Sequence, residues 1–218
     1  MSADEDRHSK ADPAELITDP DEKARREAEN GVRQFRAALE IIRRHVGEPQ
    51  PNFRLRQGIL LDLHHQALVG IHALAGTYRN TPVLIGKSAH IPPRSTDVPD
   101  LVAEMCEYVN QNWSERNAIH LAAYVLWRMN WIHPFADGNG RTARILSYIV
   151  LSTKLNSLLP GAPTIPEQIA ADKQPYYKAL EWADESWKRE ILALSRMEEM
   201  LEGMLANQLL SATKQAGG

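Results

Sequence analysis

HPFADGNGRTAR, residues 133–144, is the stretch that decides the reading of this chain. Pro134 disfavours the right-handed helical region for His133, so a preceding helix must stop there and hold the imidazole on a fixed backbone. Asp137, Gly138, Asn139 and Gly140 are strong turn formers, with Asn139 a candidate N-cap for the helix that follows. The backbone N–H groups at such a helix start point outward and form a ready anion site. Arg141 and Arg144 share one face of its first turns, where the helix dipole disfavours a cation by roughly 0.3–1 kcal/mol. A negative partner is therefore expected, and a triphosphate matches the guanidinium forks. Asp137 supplies a hard oxygen suited to Mg²⁺. His133 is the group here that takes a proton near neutral pH, the natural general base for an attacking hydroxyl. Taken one at a time, these residues have ordinary structural readings: a histidine ending a helix, arginines paired with carboxylates elsewhere. Together in one segment they point to polyphosphate. No Lys-Ser/Thr follows the glycines, which excludes a Walker A loop.

Working outward, the loop is flanked by helices predicted over Asn117–Trp131 and Asn139–Asn156. Upstream, Pro99 opens a helix using Leu101, Val102, Met105, Tyr108 and Val109, and another runs from Ile59 to Leu68, closed near Gly70. Val83, Leu84 and Ile85 with the turn Gly86-Lys87-Ser88 suggest a small β-hairpin. Nearer the N-terminus, Asp19 or Asp21 caps a helix through KARREAE that breaks at Asn30-Gly31, after which Val32, Phe35, Leu39, Ile42 and Val46 mark a second helix. Residues 1–18 are polar and read as a mobile tail. Downstream of Pro160, Pro163 and Pro166, Ile191, Leu194, Met197, Leu201 and Leu205 form an amphipathic stripe between about Lys188 and Thr213. That stripe either closes its own domain or supports a homodimer. The expected fold is all-α, a compact helical bundle with one small flap and no repeats.

Of the 218 residues, 43% are hydrophobic and 24% charged, as in an ordinary globular protein. A net charge of −3 with no basic run argues against nucleic acid as the main partner. The single cysteine, Cys106, rules out a disulfide framework within the chain and is expected in the core. MSADEDRHSK has no apolar core and no apolar run reaches membrane-spanning length, so neither a secretory leader nor a membrane anchor is expected, and a reducing cytoplasm is the simplest location. Asp62, His64 and His65 contain no zinc-hydrolase spacing. These histidines, with His72 and His120, are read as surface or satisfied interior residues.

HPFADGNGRTAR matches the signature H-x-F-x-[D/E]-G-N-G-R-x-x-R of the Fic family at every specified position. LAGTYRNTPVLIGKSAHIPP resembles the family's flap segment, and PDLVAEMCEYVNQNW the helix after it. The similarity extends over about residues 30–205, which places a Fic domain at 31–215 behind the tail 1–18 and an inhibitory-type helix at 19–30.

The resemblance implies a protein adenylyltransferase that moves AMP from Mg-ATP to a Tyr, Ser or Thr hydroxyl of a target protein. His133 would be the base and Asp137 the Mg²⁺ ligand. Phe135, Gly138, Asn139, Gly140, Arg141 and Arg144 would bind the nucleotide, and Tyr176 and Tyr177 would flank its base. Val83, Leu84 and Ile85 would dock an extended target segment on the flap. The intact Gly138-Asn139-Gly140 favours nucleotidyl transfer over the phosphorylating branch of the family. Many relatives carry an inhibitory glutamate in the pattern [S/T]-x-x-x-E-[G/N], which pairs with the second motif arginine. Glu29-Asn30 fits its end, with Arg25 departing at its first position. Thr18–Glu22 fits the first half, but Lys23 follows and Pro20 is expected to disturb a helix there. Pairing of Glu29 with Arg25 or Arg33 is the plain alternative. Removal of AMP from a modified target, with Glu29 positioning water, and non-catalytic nucleotide sensing are the alternative functions.

Overall fold

The computed structural model of the chain describes residues 9–10, 15–49 and 52–216. Its eight α-helices among these residues are α1 (Pro20–Arg44), α2 (Gln57–Leu68), α3 (Val98–Gln111), α4 (Ala118–Ile132), α5 (Asn139–Lys154), α6 (Ile165–Ala171), α7 (Gln174–Trp187) and α8 (Ser195–Ala216). Two short strands, β1 (Ser9–Lys10) and β2 (Leu84–Ile85), form the only sheet seen in the described residues. No helix there is long and apolar enough to cross a membrane.

The antiparallel pair α4 and α5 is the centre of the bundle and its most extensively packed pair. Helix α4 is buried on almost every side, from Leu121 through Ile132, as expected of a helix whose apolar residues do not confine themselves to one stripe. Ala122 and Ala123 keep its surface low, and Ser147 of α5 donates to the Ala122 carbonyl at 2.9 Å. Asn117 caps α4 by accepting from His120 N at 2.7 Å. Helices α1 and α2 cover one side of α5, α3 lies on α4, and α7 and α8 close the far side of α4. Cys106 is a core residue, and burial pushes its thiol up to about 12.

Helix α1 corrects the sequence reading. It runs unbroken through Asn30-Gly31, so the boundary expected between 30 and 31 falls inside one helix. Asn30 does not end it, because its carboxamide is buried and donates to the carbonyls of Ala67 (3.2 Å) and Val69 (2.9 Å) at the end of α2. Asp19 is the N-cap, accepting from Glu22 N at 2.7 Å, and Pro20 starts the helix where its missing N–H matters least. The C-terminal stripe also shifts. Leu194, Met197 and Leu201 are buried against their own domain, but Ile191 is exposed and lies before α8 begins.

Of the segment read as a mobile tail, residues 9–10 and 15–18 are described, and Ile17 is buried; residues 1–8 and 11–14 lie outside the described part. Segment 82–88 turns at Gly86-Lys87, with Ser88 N donating to Ile85 O at 3.3 Å. The expected hairpin differs in its partner, because β2 pairs with β1 and not with a returning arm of its own.

Gly31 has a helical backbone without positive φ and open space where a Cβ would sit. Gly31→Ala should therefore raise stability by about 0.5–1 kcal/mol in urea titration. A loss of stability would mean that the helix breaks there after all.

Candidate active site

The loop His133–Gly138 joins α4 to α5 and opens on a cavity of about 870 Å³. His133 leaves the helix in the left-handed region (φ 51°, ψ 60°), not in the extended conformation that a following proline favours. For a residue with a Cβ this costs roughly 1–2 kcal/mol. Arg79, itself buried, offsets it. Its Nε donates to His133 O at 2.8 Å, its Nη2 to Ile132 O at 3.4 Å, and its backbone N to Pro134 O at 2.9 Å. The same guanidinium reaches Thr81 O (3.1 Å) and Pro93 O (2.5 Å), so it ties the flap segment to the histidine loop.

Asn139 is the first residue of α5 and not its cap, which is Gly138 at φ 73°. The Asn139 carboxamide instead turns back and brackets Phe135, accepting from its N at 2.9 Å and donating to its O at 2.8 Å. Phe135 is fully buried and stacks on His64, with centroids 3.7 Å apart and planes 3° apart. Its ring is thus a wall of the loop and does not line the cavity. His64 receives Gly76 N–H on Nδ1 at 2.9 Å, so its proton is on Nε2 and is donated to Asp137 O at 3.0 Å. A histidine read from sequence as incidental therefore holds the loop from behind. At Gly138 a Cβ would meet Leu68 Cδ1 at 3.0 Å, which together with the positive φ reserves that position for glycine.

His133, Asp137, Gly138, Asn139, Gly140, Arg141, Arg144, Tyr176 and Tyr177 all line the cavity, as does Ile85 from the flap. Leu84 is exposed, and Val83 is buried in the core beneath. His133 Nδ1 lies 3.3 Å from the Asn130 carbonyl, which can only accept; the ring proton is therefore on Nδ1 and the lone pair on Nε2. Burial, with Arg79 and His90 nearby, lowers its pKa to about 4, so the ring is neutral at pH 7. Asp137 Oδ2 is 3.8 Å from Arg141 Nη2. No group of three or more metal-type ligands occurs among the described residues. The Asp137 carboxylate, beside the helix start in an open cavity, suits a Mg²⁺ that takes its remaining ligands from phosphates and water.

Glu29 is not in this assembly. Its carboxylate is half-exposed on the outer face of α1, 3.9 Å from Arg26 Nε. The α1 carboxylate that reaches the motif is Glu27, 3.1 Å from Arg141 Nη2. Positions two apart lie about 200° apart around a helix, so the two glutamates cannot serve the same side. The anion that the sequence demanded near Arg141 is thus supplied in this structure by Glu27 and Asp137. The lining also holds His72, read from the sequence as a surface or satisfied interior histidine, and His90, Lys173 and Asp184, which the sequence reading did not name. Asp184 is positioned by Trp127 Nε1, which donates to its Oδ1 at 2.9 Å.

His64 and His133 both have pKa values lowered to about 4, mainly by burial. The unfolded chain takes up these protons near 6.5 and the folded chain does not. Stability is then full above pH 6.5 and falls on acidification from there toward 4. Denaturant titrations between pH 7.5 and 4.5 should show this loss, and His64→Gln should make the pH dependence shallower whatever it does to stability at pH 7.5. An unchanged slope would contradict the assignment of a buried neutral ring.

A sequence profile of the Fic/DOC family matches residues 54–151. Curated relatives include the protein adenylyltransferase Fic of Nematostella vectensis, 33% identical over 128 residues that make up 57% of this chain and 28% of that protein. The one from Drosophila persimilis is 33% identical over 132 residues, 58% of this chain and 23% of that protein. The chain thus spans about a quarter of the length of these relatives. Among solved structures, a Fic domain containing signaling protein from Bacteroides thetaiotaomicron superposes with a TM-score of 0.67 at 23% identity, covering 87% of this chain and 72% of that one. Fic-1 from C. elegans gives 0.65 at 20% identity, covering 86% and 52%. The motif and the profile match fall on the same loop and flanking helices, and the fold agrees with those structures, so residues 54–151 are similar to a Fic/DOC domain.

Proposed function

We propose that this chain transfers AMP from Mg-ATP to a Tyr, Ser or Thr hydroxyl of a target protein. The observation that supports this best is a neutral His133 on the same cavity wall as the start of α5, where Gly138–Gly140, Arg141 and Arg144 converge. His133 Nε2 takes the proton of the acceptor hydroxyl as its oxygen attacks the α-phosphorus. The bond to the bridging oxygen breaks and pyrophosphate leaves. The N–H groups at the start of α5, with Arg141 and Arg144, hold the phosphates and stabilise the charge that develops on them. Asp137 would hold Mg²⁺, which neutralises phosphate charge when bound. Tyr176 and Tyr177 form the wall suited to the base. Relatives named as protein adenylyltransferases support the reading.

His133→Ala should abolish transfer of label from α-³²P-ATP to protein, a loss of at least about 100-fold for removal of a general base. Because burial lowers the histidine to about 4, activity of the native chain should persist well below pH 6.5 and fall only as pH approaches 4. Undiminished labelling by His133→Ala would remove His133 from the chemistry.

In the same reading, the site is restrained by Glu27, not by the Glu29 expected from the sequence pattern. The Glu27–Arg141 pair, 3.1 Å apart, holds in place a guanidinium that phosphates would otherwise recruit. Glu27→Gly should tighten Mg-ATP binding, measured by calorimetry, and raise self-labelling, whereas Glu29→Gly should leave both unchanged. A response confined to Glu29→Gly would return the inhibitory role to that residue.

A further inference from the structure

Strand β2 stands at the rim of the cavity, with Ile85 in the lining and Leu84 62% exposed. Its backbone partner is antiparallel β1, with Ser9 opposite Ile85 and Lys10 opposite Leu84. The same N-terminal segment is anchored a second time on the way to α1. Leu16 N donates to Ile71 O at 2.8 Å, Glu15 forms a β-bridge with His72, and the Glu15 carboxylate pairs with Lys23 Nζ at 2.6 Å. Glu15, Lys23 and His72 belong to the same cavity lining as His133.

An exposed strand edge is a template for an added strand, because its unpaired N–H and C=O groups accept any extended peptide in register. Here the chain supplies that peptide itself. We propose that the N-terminal segment is a built-in occupant of the flap edge, and that an extended segment of a target protein must displace Ser9–Lys10 to dock there. The inference rests on the AMP-transfer reading for the use made of the edge. Two paired residues are too few to hold together alone. The second anchor at residues 15–16 keeps the strand at an effective concentration on the order of millimolar, so occupancy is high yet reversible. Target affinity is then reduced by the fraction of time the edge is open.

The test compares the full chain with its Ser9→Pro/Lys10→Pro form. Proline removes the N–H groups a ladder requires, at positions outside the helical bundle, and an unchanged melting temperature confirms that the bundle is intact. Hydrogen exchange of segment 82–88, measured without nucleotide, reads the pairing. Labelling of host-lysate proteins from α-³²P-ATP reads access by targets, and Mg-ATP affinity serves as the control. Exchange over 82–88 should quicken and lysate labelling should rise by at least about fivefold, with Mg-ATP affinity unchanged. Unaltered exchange overturns the proposal, as does faster exchange with unaltered labelling. Should neither form label any protein, the AMP-transfer reading fails and this inference falls with it, while the exchange result still reports whether the strands pair.

Discussion

The carboxamide of Asn139 closing on both backbone groups of Phe135, at 2.9 and 2.8 Å, is the contact on which the site depends. It fixes the distance between the end of α4, which carries His133, and the start of α5, which carries the anion-binding N–H groups. Neither helix end alone has chemistry to offer. A histidine ending a helix is ordinary, and so is an amide-rich helix start. Held together by a short loop, they place a neutral imidazole beside a helix start, the arrangement that the proposed function uses as a base beside a phosphate cradle. The rigidity is reinforced from three directions: by Gly138 in a conformation that excludes a Cβ, by His64 from behind, and by Arg79 from the flap.

Burial governs the electrostatics of this arrangement. Desolvation keeps the His133 ring neutral, as the proposed general base would need, and the Asn130 carbonyl selects the tautomer that leaves Nε2 with the lone pair. The cationic side of the cavity is kept from destabilising α5 by carboxylates: Asp137 from the loop and Glu27 from α1. Glu27 stands where a polyphosphate would exert the same attraction more strongly, so under the proposed function nucleotide binding would exchange one anion for another around Arg141.

The loop itself was legible in the sequence because its chemistry is local. Turn residues, a proline after the histidine and two arginines at helical spacing act within a few positions of one another. So were α2 and α3, whose apolar periods agree with their burial, and the extents of α4 and α5, although Asn139 begins α5 and does not cap it. What could not be read depends on partners far away in the chain. Asn30-Gly31 carries the composition of a helix end, but Asn30 is used against α2, and nothing in its neighbours announces this. Choosing between Glu27 and Glu29 needs the rotation of α1 about its axis, which is set by its packing on α2 and α5. Nothing in their sequence neighbours marks Arg79 or His64, and their purpose appears only when the loop at 133–138 folds over them. The partner of β2 was hidden for the same reason, since residues 9–10 and 84–85 meet only in three dimensions.

The most direct measurement is a crystal structure of the chain with Mg²⁺ and a non-hydrolysable ATP analogue. The account predicts phosphates over Gly138–Arg144, magnesium on Asp137, an α-phosphorus facing His133 Nε2, and Glu27 parted from Arg141. Nucleotide bound elsewhere, with the Glu27–Arg141 pair intact and the imidazole turned from the cavity, would contradict it.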